Sequence, residues 1–260
     1  MRPLKKLAQA LFLAVWCSTW ITLALIAALV TWNRNVPLWM ARKLWAYPLI
    51  WATGARYRAE PLPDVDFSTP HIFVMNHQSM LDIACAFYSI PTHLRFMAKE
   101  VLKYIPFLGW YMWATGMIFI DRSKGTKALR SLTKAAERIR NGANILVFPE
   151  GTRSKTGAIL PFKRGPFVLA LQAGVPIIPV AIEGSGRVLP SGGFDIVPGE
   201  VRLKLGTPIL TAGRSKNQSE ALMHEVHAAL VELHRSIGGK TNTDLSAAPQ
   251  EGTALAEATG

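Results

Sequence analysis

A histidine and an aspartate five residues apart lie where a predicted strand gives way to a predicted helix. The apolar run 72–75 indicates a buried strand, and 80–90 indicates a helix with Ser79 as its N-cap. The turn between them carries His77, and Asp82 falls in the first turn of the helix. An imidazole can take a proton from a hydroxyl at neutral pH, and a carboxylate on its other nitrogen would fix the tautomer and stabilise the imidazolium. The pair predicts a general base acting on a substrate hydroxyl; the alternative is a turn histidine and an aspartate that only complements the helix dipole.

Two arginines follow other predicted buried strands. Arg122 comes shortly after the run 117–120, and Arg153 shortly after the run 145–148. Ligands of open α/β sheets bind at the carboxyl edge of the strands, so both guanidinium groups are expected beside His77. A guanidinium grips phosphate oxygens bidentately. The pattern predicts a substrate with both a phosphate and a reactive hydroxyl.

The turn before Arg153 contributes two further candidates. Gly151 lets the backbone approach closely and can offer its N–H to an anion. Glu150 would repel a phosphate unless it orients an arginine or binds an acceptor hydroxyl. The alternative for this region is a set of structural ion pairs, in which Asp121 pairs with Arg122 and Glu150 with Arg153.

Strands and helices alternate through the central part of the chain, which predicts an α/β domain. This domain is expected over 55–237, and the tail 238–260, which lacks apolar periodicity, is expected to be disordered. The aromatic-rich segment 99–115 favours a helix in the core; the alternative is a surface that faces lipid or an acyl chain. Predicted strands are 58–60, 72–75, 93–98, 117–120, 145–148, 176–182 and 201–205. Predicted helices include 126–140, a stretch that follows Gly165 and ends near Gly174, and 217–237.

The first 54 residues read as a membrane anchor. Residues 7–32 form a run of 26 residues without a formal charge, about 39 Å long as a helix, which is enough to cross a hydrocarbon core with tilt. A second apolar segment, 36–53, is rich in tryptophan, which collects at membrane interfaces. Basic residues flank the first segment on both sides, so a single span and a helical hairpin in one leaflet both stay open. A signal peptide shares the basic start but has a shorter apolar body.

Charge and cysteine content limit the partners. The net charge is +12, and because the tail from Gly238 carries −2, the rest of the chain carries about +14. Such an excess implies phospholipid surface, nucleic acid, or acidic substrates and carriers. Two cysteines make a disulfide framework unexpected. We find no Walker loop, Rossmann fingerprint or clustered Cys/His metal pattern.

Four segments together resemble a known family. These are Asn-His-Gln-Ser-Met-Leu-Asp (76–82), Gly-Met-Ile-Phe-Ile-Asp-Arg (116–122), Phe-Pro-Glu-Gly-Thr-Arg-Ser (148–154) and Val-Pro-Ile-Ile-Pro-Val (175–180). They are similar, in order and spacing, to the four blocks of the glycerolipid acyltransferases, and most of all to the members that acylate 1-acyl-sn-glycerol-3-phosphate (lysophosphatidate). The resemblance implies a mixed sheet flanked by helices, with an N-terminal membrane-anchoring helical hairpin.

The resemblance also implies a direct transfer without an acyl-enzyme. His77 would deprotonate the sn-2 hydroxyl of lysophosphatidate, Asp82 would orient His77, and the oxygen would attack the thioester of acyl-CoA or acyl-carrier protein. The glycerol phosphate would be held by Arg122, Glu150, Gly151, Thr152 and Arg153. A supporting role, or the lining of an acyl pocket, would fall to Asn76, Lys99, Val175, Pro176 and Ile177.

The resemblance implies no metal and no organic cofactor. The expected partners are lysophosphatidate, the acyl donor and an anionic membrane surface, without nucleic acid. The expected location is a bacterial-type cell membrane with the catalytic domain on its cytoplasmic face. Three alternatives stay open: the same chemistry on another lyso-lipid such as lyso-ornithine lipid, a non-catalytic basic binding protein, and a lipid hydrolase with Ser79 as nucleophile. Glycerol-3-phosphate is a less favoured acceptor.

Overall fold

The computed structural model of the protein describes residues 2–120, 126–193 and 195–240. Its centre is a seven-stranded sheet in the order β1-β7-β6-β2-β5-β3-β4. Neighbouring strands are parallel, except that β7 runs antiparallel to β6. The strands are β1 (Arg56–Ala59), β2 (Ile72–Met75), β3 (Leu94–Lys99), β4 (Ile118–Ile120), β5 (Asn144–Val147), β6 (Ile177–Glu183) and β7 (Glu200–Leu205).

Helices cover both faces of this sheet, which confirms the predicted fold class of a mixed sheet flanked by helices. The α-helices are α1 (Arg2–Thr31), α2 (Asn35–Met40), α3 (Ala46–Ala52), α4 (Leu81–Ser89), α5 (Leu108–Ala114), α6 (Thr126–Arg140), α7 (Gly165–Ala173), α8 (Ser185–Val188) and α9 (Ser219–Ser236). A π-helical turn, Ala41–Trp45, joins α2 to α3, and 3₁₀ turns occupy Glu100–Tyr104 and Lys216–Gln218.

The central strand β2 divides its side chains between two hydrophobic clusters because successive residues of a strand point to opposite faces. Phe73 and Met75 join the cluster under α4, and Ile72 and Val74 join the cluster under α6, α7 and α9. All four side chains are buried. A strand buried on both faces reads as a continuous apolar run, which is why 72–75 is recognisable in the sequence.

The start of α4 differs by one residue from the prediction. The helix begins at Leu81, and Ser79 lies before its formal N-cap, Met80. The Ser79 hydroxyl nevertheless accepts a hydrogen bond from the Leu81 N–H at 3.1 Å. The carboxylate of Asp82 accepts the Ser79 N–H at 2.8 Å. Both side chains therefore satisfy backbone donors at the helix start, where no helical partner exists.

The aromatic segment 99–115 is not a core helix, so the favoured prediction for it is wrong. It folds as the 3₁₀ turn and α5, and several of its large side chains face outward. Tyr104 is 72% exposed and Trp113 is 71% exposed. Pro106 interrupts the helix, and Phe107 adopts a positive φ of 61° at the break. Several apolar residues of this segment therefore lie on an exposed face, which agrees with the alternative prediction of a surface rather than a core helix.

The N-terminal helix α1 contains one stretch, Leu7–Thr31, that is long and apolar enough to cross a membrane, and almost none of it is buried. It is a candidate membrane anchor. The second apolar segment has a different environment. In α2 and α3, Leu38 and Ile50 are buried in the cluster that also contains residues of α4. One face of this segment therefore belongs to the core of the α/β domain.

Gly238 and Gly239 form the C-terminal cap of α9. The Gly238 N–H donates to Arg235 O at 3.0 Å and the Gly239 N–H donates to His234 O at 2.8 Å. Gly238 has a φ of 93°, the left-handed conformation that commonly ends a helix. The tail predicted to be disordered is 238–260; the structure orders Gly238 and Gly239 at the end of the helix, and residues 241–260 lie outside the described residues.

Candidate active site

The side chains of His77 and Asp82 are in contact, as the sequence predicts. The turn after β2 holds His77, and the Nδ1 atom of its ring lies 2.7 Å from Asp82 Oδ2. Because a carboxylate accepts hydrogen bonds, Nδ1 carries the proton and donates. The Nε2 atom has no hydrogen-bond partner in the described part of the chain. The side chain is 14% exposed, so the ring is not completely closed off from the protein surface.

Asp82 is completely buried, and four donors surround its carboxylate. Besides the His77 ring, the backbone N–H groups of Gln78 and Ser79 donate to Oδ2 at 2.7 and 2.8 Å. The Ser185 hydroxyl donates to Oδ1. A buried carboxylate needs such compensation, and these donors also fix its orientation toward His77. Ser185, at the start of α8, has no signal in the sequence that separates it from other serines.

The turn after β5 clamps the backbone of His77 from the other side. The His77 N–H donates to Glu150 Oε1 at 3.0 Å, and the Ser154 N–H donates to His77 O at 2.7 Å. The Phe148 ring stacks on the imidazole with ring centroids 3.9 Å apart. The first and third sequence motifs therefore form one unit, because β2 and β5 are neighbouring parallel strands whose carboxyl ends meet.

Glu150 does not lie where a substrate phosphate could reach it, which corrects its predicted role as a substrate ligand. Its side chain is 3% exposed, and Oε2 is buried without a hydrogen-bond partner among the described residues. Burial raises the pKa of Glu150 to about 8, against the opposing effect of hydrogen bonds from the backbone of His77 and Leu160. The group is therefore largely uncharged at neutral pH, and it holds the turn that carries His77.

The predicted use of Gly151 as an anion donor is also wrong. Its N–H donates to Phe148 O at 3.1 Å and closes the turn. Its φ of 72° explains why glycine stands there. Thr152 is exposed on the same turn, and Arg153 is half-buried with no ion-pair partner in the described part of the chain. Arg153 therefore stays a candidate for binding a substrate anion.

The sequence offers two other basic candidates, Lys99 and Arg122. Lys99 is the exposed last residue of β3. It is paired in register with Ile120, the last residue of β4. Arg122 follows two residues later but lies outside the described residues, and so does Asp121. The chain therefore leaves β4 at the edge that carries His77.

Asn76 supports the site by joining two strands. Its amide donates to Ile182 O at 2.9 Å and its carbonyl accepts the Ile182 N–H at 2.8 Å. These bonds continue the pairing of β2 with β6 beyond the last regular pair, Met75 with Val180. They fix the backbone immediately before His77.

For Val175, Pro176 and Ile177 the prediction is a supporting role or the lining of an acyl pocket, and their place at the opposite edge of the sheet agrees with a supporting role and not with a pocket at His77. Ile177 pairs with Ile72, the first residue of β2, because the two strands are parallel. Val175 and Ile177 pack in the cluster under α7 and α9. Their apolar side chains therefore pack in the hydrophobic core.

A buried polar cluster next to the site was missed in the sequence. The Gln78 amide donates to Glu183 Oε2 at 3.0 Å, and His234 Nε2 lies 2.8 Å from the same oxygen. Arg187 pairs with the other oxygen of Glu183. Burial acts to raise the pKa of Glu183, but hydrogen bonds from His234, Gln78 and Arg187 outweigh this effect. The net result is a pKa of about 2. The cluster ties α9 to the turn that carries His77.

The environment of Ser79 argues against a serine nucleophile. The side chain is fully buried, and its hydroxyl donates to Leu189 O at 2.7 Å while accepting the Leu81 N–H. The ring of His77 is bonded to Asp82 through Nδ1 and to no serine in the described chain. A Ser–His pair of the hydrolase type is therefore missing from the described residues.

Comparison with known proteins points to one family. Residues 55–183 match the family model described as Acyltransferase. The 1-acyl-sn-glycerol-3-phosphate acyltransferase of Saccharomyces cerevisiae is 37% identical over 172 residues, 65% of this chain and 57% of the yeast protein. The human 1-acyl-sn-glycerol-3-phosphate acyltransferase alpha is 28% identical over 234 residues, 88% of this chain and 83% of the human protein.

A solved structure shares the fold over nearly the whole chain. The crystal structure of the 1-acyl-sn-glycerophosphate (LPA) acyltransferase PlsC from Thermotoga maritima matches with a TM-score of 0.78 and 28% identity. The match covers 91% of this chain and 98% of that one. For the first four curated relatives, the matched part spans only 43% to 58% of their own length. The family model, the relatives and the shared fold agree with the four sequence motifs, and the chain belongs to the acyltransferase family.

Proposed function

We propose that the protein transfers an acyl chain from a thioester donor to the sn-2 hydroxyl of 1-acyl-sn-glycerol-3-phosphate, giving phosphatidate for phospholipid synthesis. The observation that carries this proposal is the 2.7 Å contact between His77 Nδ1 and Asp82 Oδ2, which leaves Nε2 free to act as a base. The relatives named 1-acyl-sn-glycerol-3-phosphate acyltransferase support the choice of acceptor.

In the proposed reaction His77 Nε2 takes the proton of the acceptor hydroxyl as its oxygen attacks the thioester carbonyl. The imidazolium then returns the proton to the departing thiolate of coenzyme A or acyl-carrier protein. Asp82 stabilises the transient positive charge on the ring. A new oxygen ester forms and the carbon–sulfur bond breaks. We expect neither a metal nor an organic cofactor, since the donor is a co-substrate.

The half-buried Arg153 is the proposed ligand of the acceptor phosphate, and Lys99 contributes positive charge at the same edge. On the sequence motif alone, Arg122 is proposed as a further phosphate ligand. Arg153→Ala should raise the KM for lysophosphatidate about tenfold or more because a charge-assisted contact is lost. Arg153→Lys should recover part of the affinity. Unchanged kinetics for lysophosphatidate in Arg153→Ala would rule out this contact.

The proposal places the active site next to a lipid surface, where both the acceptor and the product reside. The exposed apolar helix α1 and the exposed aromatic side chains of α5 are suited to that surface. The high positive charge suits an anionic membrane and acidic donors. We propose that the catalytic domain faces the cytoplasm of a bacterial-type cell, where such donors are made.

The test is acyl transfer from labelled oleoyl-CoA, and separately from oleoyl-carrier protein, by wild type, His77→Ala and Ser79→Ala. Lysophosphatidate, glycerol-3-phosphate and lyso-ornithine lipid are offered in parallel. We expect product with lysophosphatidate only, lost in His77→Ala. Product only with another lyso-lipid would keep the mechanism and change the acceptor. No product with either donor would refute the proposal, and a covalent acyl adduct dependent on Ser79 would indicate a hydrolase.

A further inference from the structure

A cavity lies at the edge of the sheet opposite to His77. It has a volume of about 530 Å³ and opens at the amino ends of β3 and β5, whereas His77 follows the carboxyl end of β2. None of the catalytic or substrate-binding candidates described above lines it. The side chains that give it its chemical character are Arg34, Arg42, Trp39, His93, Arg95 and Arg138.

The cavity concentrates positive charge without a balancing carboxylate. Four arginines line it, and none of its described lining residues is an aspartate or a glutamate. The acids next to lining residues in the sequence are Asp66 and Glu137, and neither lines the cavity; the Asp66 carboxylate accepts the Ser68 N–H at 2.9 Å. Four guanidinium groups around one space repel each other unless an anion lies between them. The composition of the lining therefore favours an anionic ligand.

The arginines differ in how firmly they are held. Arg95 is fixed by hydrogen bonds from Nη2 to Asn35 Oδ1 at 2.8 Å and from Nε to Thr115 O at 3.1 Å. The Nε atom of Arg42 is buried and has no hydrogen-bond partner among the described residues. A buried donor without an acceptor is costly, and an anion oxygen would supply the acceptor.

The lowered pKa values of two of these arginines also favour a bound anion. The pKa of Arg95 is lowered by burial and by the nearby charges of Arg34 and Arg138. The pKa of Arg42 is lowered by burial. The protein therefore keeps these charges together at a cost, which a bound anion would offset.

The position of the cavity relates it to the membrane anchor. Arg34 follows the end of α1 by three residues, and Trp32, between them, is 88% exposed. Tryptophan and arginine directly after an apolar helix are typical of the headgroup region of a bilayer. A phosphate of a lipid headgroup would be available at that depth, and a soluble phosphate compound would reach it from the water.

We propose that this cavity is a second anion site, separate from the active site, which binds a ligand through a phosphate group. Arg95, held by its hydrogen bonds, and the partly buried Arg42 form its base, and the exposed Arg34 and Arg138 close on the phosphate from two different elements, the α1–α2 connection and α6. The source of the phosphate is either an anionic phospholipid or a soluble phosphate compound, and the experiment separates the two.

The experiment measures thermal unfolding of the full chain in neutral detergent micelles. One arm replaces sodium chloride by sodium phosphate at constant ionic strength; the other dopes the micelles with phosphatidylglycerol or, as a comparison, phosphatidylcholine. The test variant is Arg34→Ala/Arg138→Ala, since both side chains are exposed and neither makes a hydrogen bond that holds the fold in the described chain. The matched control, Lys216→Ala/Arg235→Ala, removes the same charge from exposed positions near and on α9.

Wild type and the control variant should gain roughly 3 °C in Tm at saturating ligand, and the test variant less than about a third of that. A gain with phosphate alone identifies a soluble ligand, and a gain with phosphatidylglycerol alone identifies a lipid headgroup. Both results support the site. The Arg153→Ala variant should keep the gain, because it alters only the active-site edge. Equal gains in all variants, or none in wild type in either arm, would overturn the proposal.

Discussion

At the scale of single residues, the two carboxyl groups nearest to His77 have opposite hydrogen-bond environments. Asp82 accepts hydrogen bonds from four donors, which compensate a buried negative charge. Glu150 has one oxygen without a partner among the described residues, and burial raises its pKa. The Asp82 carboxylate is therefore placed to stabilise a positive charge on the His77 ring, whereas the Glu150 carboxyl group binds the backbone of the turn.

The charge of Asp82 can be tested with an isosteric change. In Asp82→Asn the amide oxygen can keep the three N–H donors, and the amide nitrogen can donate to the Ser185 hydroxyl, which reverses its role. We expect kcat to fall roughly 10²- to 10⁴-fold while KM changes little, because the imidazolium loses its counter-charge. Steady-state transfer kinetics measure this, with Ser185→Ala as a control that keeps the carboxylate. A kcat within twofold of wild type would exclude the proposed role.

The raised pKa of Glu150 predicts a pH dependence of stability. The group has a pKa of about 8 in the folded chain and about 4.5 when unfolded, so the folded state holds the proton more tightly. This contribution is complete below pH 4.5 and is lost as pH rises through 8, by on the order of a few kcal/mol. The variant Glu150→Gln is the comparison, because its amide oxygen can still accept the His77 N–H while its side chain does not ionise.

Urea unfolding of both proteins between pH 5 and 9 measures the effect. Wild type should lose stability across this range relative to Glu150→Gln, and the difference should level off above pH 8. Parallel curves for the two proteins would mean that Glu150 is ionised throughout.

At the scale of elements, the site is assembled where four segments meet: the turns after β2 and β5, the start of α8 and the last turns of α9. Gln78 contacts Glu183 at the end of β6 and lies 3.3 Å from His234 Nε2 on α9. The tightest point is Gly184, between Glu183 and Ser185. A Cβ atom there would lie 2.1 Å from Glu200 O, and the φ of this residue is 89°.

Gly184→Ala should therefore lower the free energy of unfolding by about 3 kcal/mol or more, since strain and a backbone clash add. The shift of α8 should also weaken the Ser185 contact with Asp82 and lower activity in the protein that remains folded. Chemical denaturation and transfer assays measure the two effects. Gly192→Ala, where a Cβ would meet nothing within 4 Å, is the control and should be neutral. Equal stability of the two variants would contradict the close approach of β7 to Gly184.

At the scale of the whole molecule, the N-terminal region divides into the largely exposed helix α1, which contacts the core through a few residues such as Trp16, and a following segment that is part of the core. The outward side chains of α1 include Leu7, Leu29 and Val30. By contrast, Leu38 and Ile50, in α2 and α3, are almost completely buried. Removing exposed apolar surface costs little in water, whereas removing buried side chains opens the core.

Two truncations test this division. Deleting residues 2–31 should yield a folded protein that no longer sediments with membranes. Deleting residues 2–53 should abolish cooperative unfolding, because each large buried side chain lost costs on the order of 2 to 5 kcal/mol. Circular dichroism melts and membrane flotation distinguish the outcomes. A stably folded product of the longer deletion would show that α2 and α3 are dispensable for the core.

The sequence by itself determined the local features. The strand 72–75, the turn with His77 and the helix with Asp82 follow from an apolar run and a helix start that neighbour each other in the chain. The contact between the two side chains spans five residues, so local backbone geometry is enough to produce it. The alternation of strands and helices likewise determined the fold class.

Only the tertiary structure decided the roles that depend on strand order and direction. The contact of Glu150 with His77 spans 73 residues, and that of Ser185 with Asp82 spans 103. Val175 and Ile177 carry the same apolar signal whether they line a site or fill a core, and the parallel pairing of β6 with β2 puts them at the far edge. Arg34, Arg42, Arg95 and Arg138 come from the α1–α2 connection, the π-helical turn, β3 and α6, and only the folded chain brings them to one cavity. Such contacts join segments whose separation in the chain carries no periodic signal, so folding alone brings them together.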